Sequence, residues 1–199
     1  METFFETLED MIQCAITSDF REIMKKVDDE NIYVAVLSTT CDCTAGAFAV
    51  STIEHMKKKY DKQLELEAKY PENKLNDFQR EAYVKWTPGE LGYGLEMSAF
   101  DEVSKVLYAK GSEMDDAFEG GAGPDETYEK YEGMVIETCI SAFQKAIKSN
   151  TLGCNFEKIT CFVSMADDMK AEEIENRSAK LLNSQEVYEK FIAQRTVKH

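Results

Sequence analysis

The feature that most constrains the fold is a pair of short apolar runs separated by a few polar residues. Asn31 to Ser38 and Ala45 to Ser51 are rich in β-branched and small apolar residues, and Thr39-Thr-Cys-Asp-Cys-Thr lies between them. Runs of this length and composition read as strands, and a break this short leaves room only for a turn, so the two form a hairpin. Strands joined so tightly must be antiparallel, because a parallel pair needs a crossover of about a dozen residues or more. The chain is therefore expected to be α+β, with a mainly antiparallel sheet (the hairpin plus later strands) and helices packed on it, rather than a regular βαβ winding.

The segments around the hairpin supply those helices. From Phe4 to Val27 the apolar residues recur at steps of three and four, as an amphipathic helix over 2–27 requires. Thr52 can cap a second helix that places Ile53, Met56, Tyr60 and Leu64 on one face and ends near Tyr70-Pro71. Ala82 to Trp86 alternates and is expected to be a third strand, followed by a turn at Thr87-Pro-Gly-Glu90. Ser98 and Asp101 form a variant capping box for a helix through about Lys110. Gly111 to Gly123, with Asp115 and Asp116, reads as an exposed acidic loop. Pro124 and Asp125 then open a long helix ended by 150–155. Lys158 to Ser164 carries apolar residues on both alternating sets, the pattern of a strand covered on both faces, and two short helices follow, the second capped by Ser184. No internal repeat or composition break divides the 199 residues, so a single domain over 1–199 is expected, long enough to bury ~70% of its unfolded surface.

Charge narrows the partners. The net charge of −15 repels nucleic-acid backbones, and no basic stripe interleaved with aromatics offsets it. It favours a basic protein partner instead. No apolar run approaches the roughly 18 residues of a membrane span. The N-terminus is acidic where a signal peptide would be basic, so a cytoplasmic location is expected.

The side chains that could carry chemistry are few. Cys41 and Cys43 flank an acid, but no Cys-x-x-Cys pair exists and the histidines are His55 and His199, too few for a zinc site of common spacing. Exposed in a turn, Cys41 and Cys43 could serve as a thiol redox sensor. Asp167 and Asp168, after the last strand, could hold Mg²⁺ or Ca²⁺ through their carboxylates in a metal-dependent enzyme. The acids around Asp115 and Asp116 read as a solvated run, and Gly120-Gly-Ala-Gly lacks the Lys-Ser/Thr of a phosphate loop. Trp86 and Tyr93 lie in a glycine-proline frame, where aromatics either anchor an interface or fold a long loop onto the core. No complete catalytic set and no cofactor are implied.

The order of these features resembles the mainly bacterial family called domain of unknown function 4303. The points of similarity are the first helix, the hairpin Tyr33-Val-Ala-Val-Leu-Ser…Ala47-Phe-Ala-Val-Ser-Thr, and the segment Lys85-Trp-Thr-Pro-Gly-Glu-Leu-Gly-Tyr93. The long helix, the strand Ile159-Thr-Cys-Phe-Val-Ser with Asp167-Asp168, and the ending Ser178-Ala-Lys-Leu-Leu-Asn183 complete them. The resemblance implies no catalytic residues. By analogy with small bacterial families that accompany secreted toxins, it implies an immunity-like binding role. The leading expectation is a non-enzymatic acidic module using Trp86, Tyr93, Asp115 and Asp116 against a basic partner. The metal-dependent enzyme and the thiol sensor are the alternatives.

Overall fold

A computed structural model describes residues 2–27, 30–118, 126–149 and 156–195. The glycines at 120–123, Pro124, Asp125, residues 150–155 with Cys154, and His199 lie outside the described residues. The hairpin forms as its spacing requires: β1 (Ile32–Thr40) and β2 (Gly46–Thr52) pair antiparallel, from Ile32 opposite Thr52 to Thr39 opposite Gly46. The last strand, β3 (Thr160–Ala166), adds to the free side of β1 and runs parallel to it, from Val34 opposite Thr160 to Thr40 opposite Ala166. The strand order is β2-β1-β3, so β1 is central and both β1 and β3 end at the same edge of the sheet.

Helices cover both faces, and the strands' alternation divides the core accordingly. On one face Ala35, Leu37, Phe48, Val50, Cys161, Val163 and Met165 pack against α1 (Glu2–Val27), α4 (Asp101–Phe118) and α5 (Glu126–Lys148). On the other, Val34, Val36, Ala49 and Phe162 meet Trp86, Leu91, Ala179 and Phe191. Trp86 ends α3 (Asp77–Trp86), Ala179 lies on α6 (Ala171–Leu182) and Phe191 on α7 (Gln185–Arg195). Fully burying each large apolar side chain contributes ~1.5–3 kcal/mol, so two such faces stabilise a sheet of only three strands. The remaining helix, α2 (Ile53–Lys69), starts at the expected cap, where the Thr52 hydroxyl accepts from the His55 amide at 3.0 Å.

Two expected segments differ. Ala82–Trp86 is the second half of helix α3, not a strand. Upstream, Asn76 and Gln79 form a reciprocal capping box that nucleates the helix, a signal stronger than five residues of alternation. Arg80 of this helix is buried and grips Glu67 of α2 through Nε at 3.0 Å and Nη2 at 2.7 Å, which locks α3 beside α2. Residues 111–118 are not a loop either: α4 continues through Gly111 to Phe118. A Cβ at Gly111 would sit 3.2 Å from the Thr44 side chain, so glycine there serves close packing of α4 against the hairpin turn.

The outer edge of β3 is closed by side chains. The Asn183 amide accepts from the Cys161 N–H at 2.8 Å and donates to the Cys161 carbonyl at 2.6 Å, imitating a neighbouring strand. Two residues on, the Ser178 hydroxyl accepts from the Val163 N–H at 2.8 Å. An edge left open would be a template for aggregation. The Ser178…Asn183 motif thus has a structural role.

Candidate functional site

Because β1 and β3 are parallel, the hairpin turn after Thr40 and the loop after Ala166 emerge side by side. The turn carries Cys41, Asp42 and Cys43, and the loop carries Asp167, Asp168 and Met169. Two candidate groups that are far apart in sequence therefore share one end of the sheet. Helix α5 lies beside them: the Tyr128 hydroxyl donates to the Asp42 carbonyl at 2.8 Å. Lys170 reaches Glu132 at 3.3 Å. Glu132 first, then Glu129 and Asp168, raise the Lys170 ammonium above the usual lysine value, so this end is dominated by carboxylates.

Most of these groups are committed locally. The Thr40 hydroxyl, helped by the Thr44 hydroxyl and amide, holds the Asp42 carboxyl below its usual range and shapes the turn. Asp168 accepts from the Lys170 amide at 2.6 Å through Oδ1, closing the turn that leads into α6. Asp167 adopts φ of 56°, a left-handed conformation that Asp and Asn tolerate better than most residues. It is exposed, and so is Met169, fully, at the tip. Among the described residues no three His, Cys, Asp or Glu side chains gather as a metal-holding group, so Asp167 and Asp168 have no third ligand in place.

The two thiols part ways in the turn. Cys41 is exposed, whereas Cys43, at φ 53°, points into the core. Burial pushes the Cys43 thiol up to about 12, and Glu132, Asp42 and Asp168 add to the shift. A neutral buried thiol is a weak nucleophile.

Trp86 is only 5% exposed, packed edge-on against Phe191 with centroids 5.0 Å apart and against Tyr33 at 6.0 Å. Tyr93 forms a single antiparallel bridge to Val50, and its hydroxyl donates to Glu30 at 2.8 Å. Gly94 follows at φ 117°, where a Cβ would fall 2.3 Å from the Phe48 carbonyl. This segment is a loop folded onto the sheet. His55 is held against Gly92 and Tyr93, and burial followed by Lys59 depresses its pKa, so the ring is neutral at pH 7. Asp115 and Asp116 fall on the last turns of α4, just beyond the point where Gly111 meets the hairpin turn. Met169, Glu129 and Glu132 were not singled out by the sequence. The parallel register of β3 brings Met169 to the turn, and the packing of α5 beside it brings Glu129 and Glu132.

The model of the family described as domain of unknown function DUF4303 matches residues 12–184. The chain belongs to this family. The match begins within α1 and runs to Ser184, so it includes the hairpin turn, the Trp86 segment, the Asp167–Asp168 loop and the β3-closing Ser178 and Asn183. Membership in DUF4303 brings no assigned activity. No curated protein and no solved structure matches the chain. Among the described residues, no helix is long and apolar enough to cross a membrane.

Proposed function

We propose that the chain is a non-enzymatic binding module, immunity-like in kind, that receives a basic protein partner on the end of the sheet where β1 and β3 terminate. One observation carries this reading: Met169 stands fully exposed in the loop of Asp167 and Asp168, at the end of the sheet that also carries Asp42, Glu129 and Glu132. An apolar side chain in water is a cost that an interface removes, and methionine is enriched at interface cores. The carboxylates around it supply steering and register for a cationic surface. Asp115 and Asp116, on the α4 turns after Gly111, are included in this acidic reading by their sequence position alone. Trp86 and Tyr93 pack onto the sheet and do not line this surface.

A photo-crosslinker at position 169, introduced in the source cell, tests the reading. The expected product is a basic protein whose capture weakens as salt is raised. With the captured protein in hand, Met169→Ala raises Kd by about tenfold, as truncating an anchor does. Glu129→Lys mainly slows association and flattens the salt dependence. Salt-insensitive capture, or a Kd that neither change moves, rejects the proposal.

A further inference from the structure

At the opposite, amino ends of β1 and β3 lies a cleft of about 660 Å³, a size typical of small-molecule sites. Its lining includes Tyr33 of β1, Lys85 and Trp86 of α3, Lys158 and Thr160 at the start of β3, and Lys190 of α7. Among the described residues, three lysines against one acid, Glu186, invert the balance of a chain with 38 acids and 23 bases. We propose that this cleft binds a small polyvalent anion bearing phosphate or carboxylate groups.

Several of the chain's lysines are neutralised by neighbours: Lys25, Lys26, Lys59, Lys105, Lys110, Lys145 and Lys170 each sit on a carboxylate. Lys85 does not: its ammonium donates to the neutral Gln194 side chain at 2.7 Å and lies 5.0 Å from the Trp86 ring centre. Burial lowers its pKa, with only Glu81 opposing, so this charge is desolvated without being neutralised. An anion in the cleft supplies the missing countercharge. Lys158 is exposed at the rim with no ion pair among the described residues, and Lys190 is held by Glu186 at 2.7 Å. The indole N–H of Trp86, on the wall, has no acceptor among the described residues. The first turn of α7, at Ser184, Glu186 and Val187, also lines the cleft and turns the positive end of that helix toward it. The concave shape and this density of donors fit a small ligand better than a flat protein surface.

Trp86 is the chain's single tryptophan, so its emission reports on the cleft directly. The full chain is titrated with inorganic pyrophosphate and, separately, with citrate. A saturable change in emission with at least one of them is expected at concentrations below about 10 mM, and the responding anion identifies phosphate or carboxylate as the preferred group. Lys85→Gln raises Kd about tenfold or more for that anion. Lys158→Gln, a change at an exposed side chain, raises it severalfold and keeps the test decisive if the Lys85 variant fails to fold. No saturable response to either anion, a response unchanged in Lys158→Gln and Lys85→Gln, or binding only of a polyglutamate peptide overturns the proposal.

Discussion

Asp19 places a carboxylate where the surroundings favour a neutral group. It is 3% exposed on α1, one oxygen accepts from the Ala99 amide at 3.3 Å, and the other has no partner among the described residues. Burial, against that amide and with added repulsion from Asp101, raises its pKa from 3.8 to about 6. Between these values the folded state holds a proton that the unfolded state has released. Stability therefore falls as pH rises through that window, by up to about 3 kcal/mol for a shift of this size. Carboxyls held low, such as Glu30 under Thr52 and Tyr93, act in the opposite sense and are common to any variant made at Asp19. The difference between wild type and Asp19→Asn isolates the one group. Urea denaturation at pH 4.5 and pH 7 is expected to give the variant a gain of about 1–2 kcal/mol at pH 7 and little at pH 4.5. An equal difference at both values removes the argument.

At the scale of elements, the edge of β3 is where local chemistry decides whether the sheet is closed. Asn183→Ala removes the side-chain partner of the Cys161 N–H and C=O together, and Ser178→Ala removes that of the Val163 N–H. Each change is expected to cost about 1–3 kcal/mol, the penalty of a buried unsatisfied group. Light scattering on warming should rise in both variants because the edge is reopened. Denaturation midpoints and scattering equal to wild type would show that water replaces these side chains freely. The same edge explains what could be read beforehand. Long amphipathic periods marked α1 and α5, and the short polar break marked the hairpin. Ala82, Val84 and Trp86 misled because five residues of alternation are too short a window to exclude a helix, and the deciding signal, the Asn76–Gln79 box, lay upstream. Loop composition misled at 111–118, where a glycine inside a helix serves packing against Thr44. The side on which β3 adds, and its direction, were not legible, since both faces of that strand are apolar and nothing local specifies its partner. The meeting of Cys41–Cys43 with Asp167–Asp168 depends wholly on that pairing, as does the lysine cleft at its other end.

At the scale of the whole molecule the charge is both abundant and divided. A net charge of −15 repels itself in the compact state, yet acids dominate where β1 and β3 end and lysines where they begin. Ionic strength should therefore act in opposite directions on folding and on binding. Raising salt from about 10 mM to about 150 mM shortens the screening length from ~30 Å to ~8 Å. That relieves repulsion among carboxylates spread over the surface while leaving the buried Arg80–Glu67 pair little affected, its side chains being 3% and 4% exposed. The thermal midpoint is expected to rise by a few degrees over this range, roughly the response of a 200-residue chain to 1 kcal/mol. Association at both ends should weaken over the same range. A Hofmeister effect is separated from screening by comparing chloride with sulfate at equal ionic strength: screening gives equal midpoints, exclusion gives a higher one in sulfate. A midpoint that falls with sodium chloride would mean that surface ion pairs such as Lys145–Glu9 and Lys59–Glu90 outweigh the self-repulsion, and the divided-charge description would have to give way to one of paired charges.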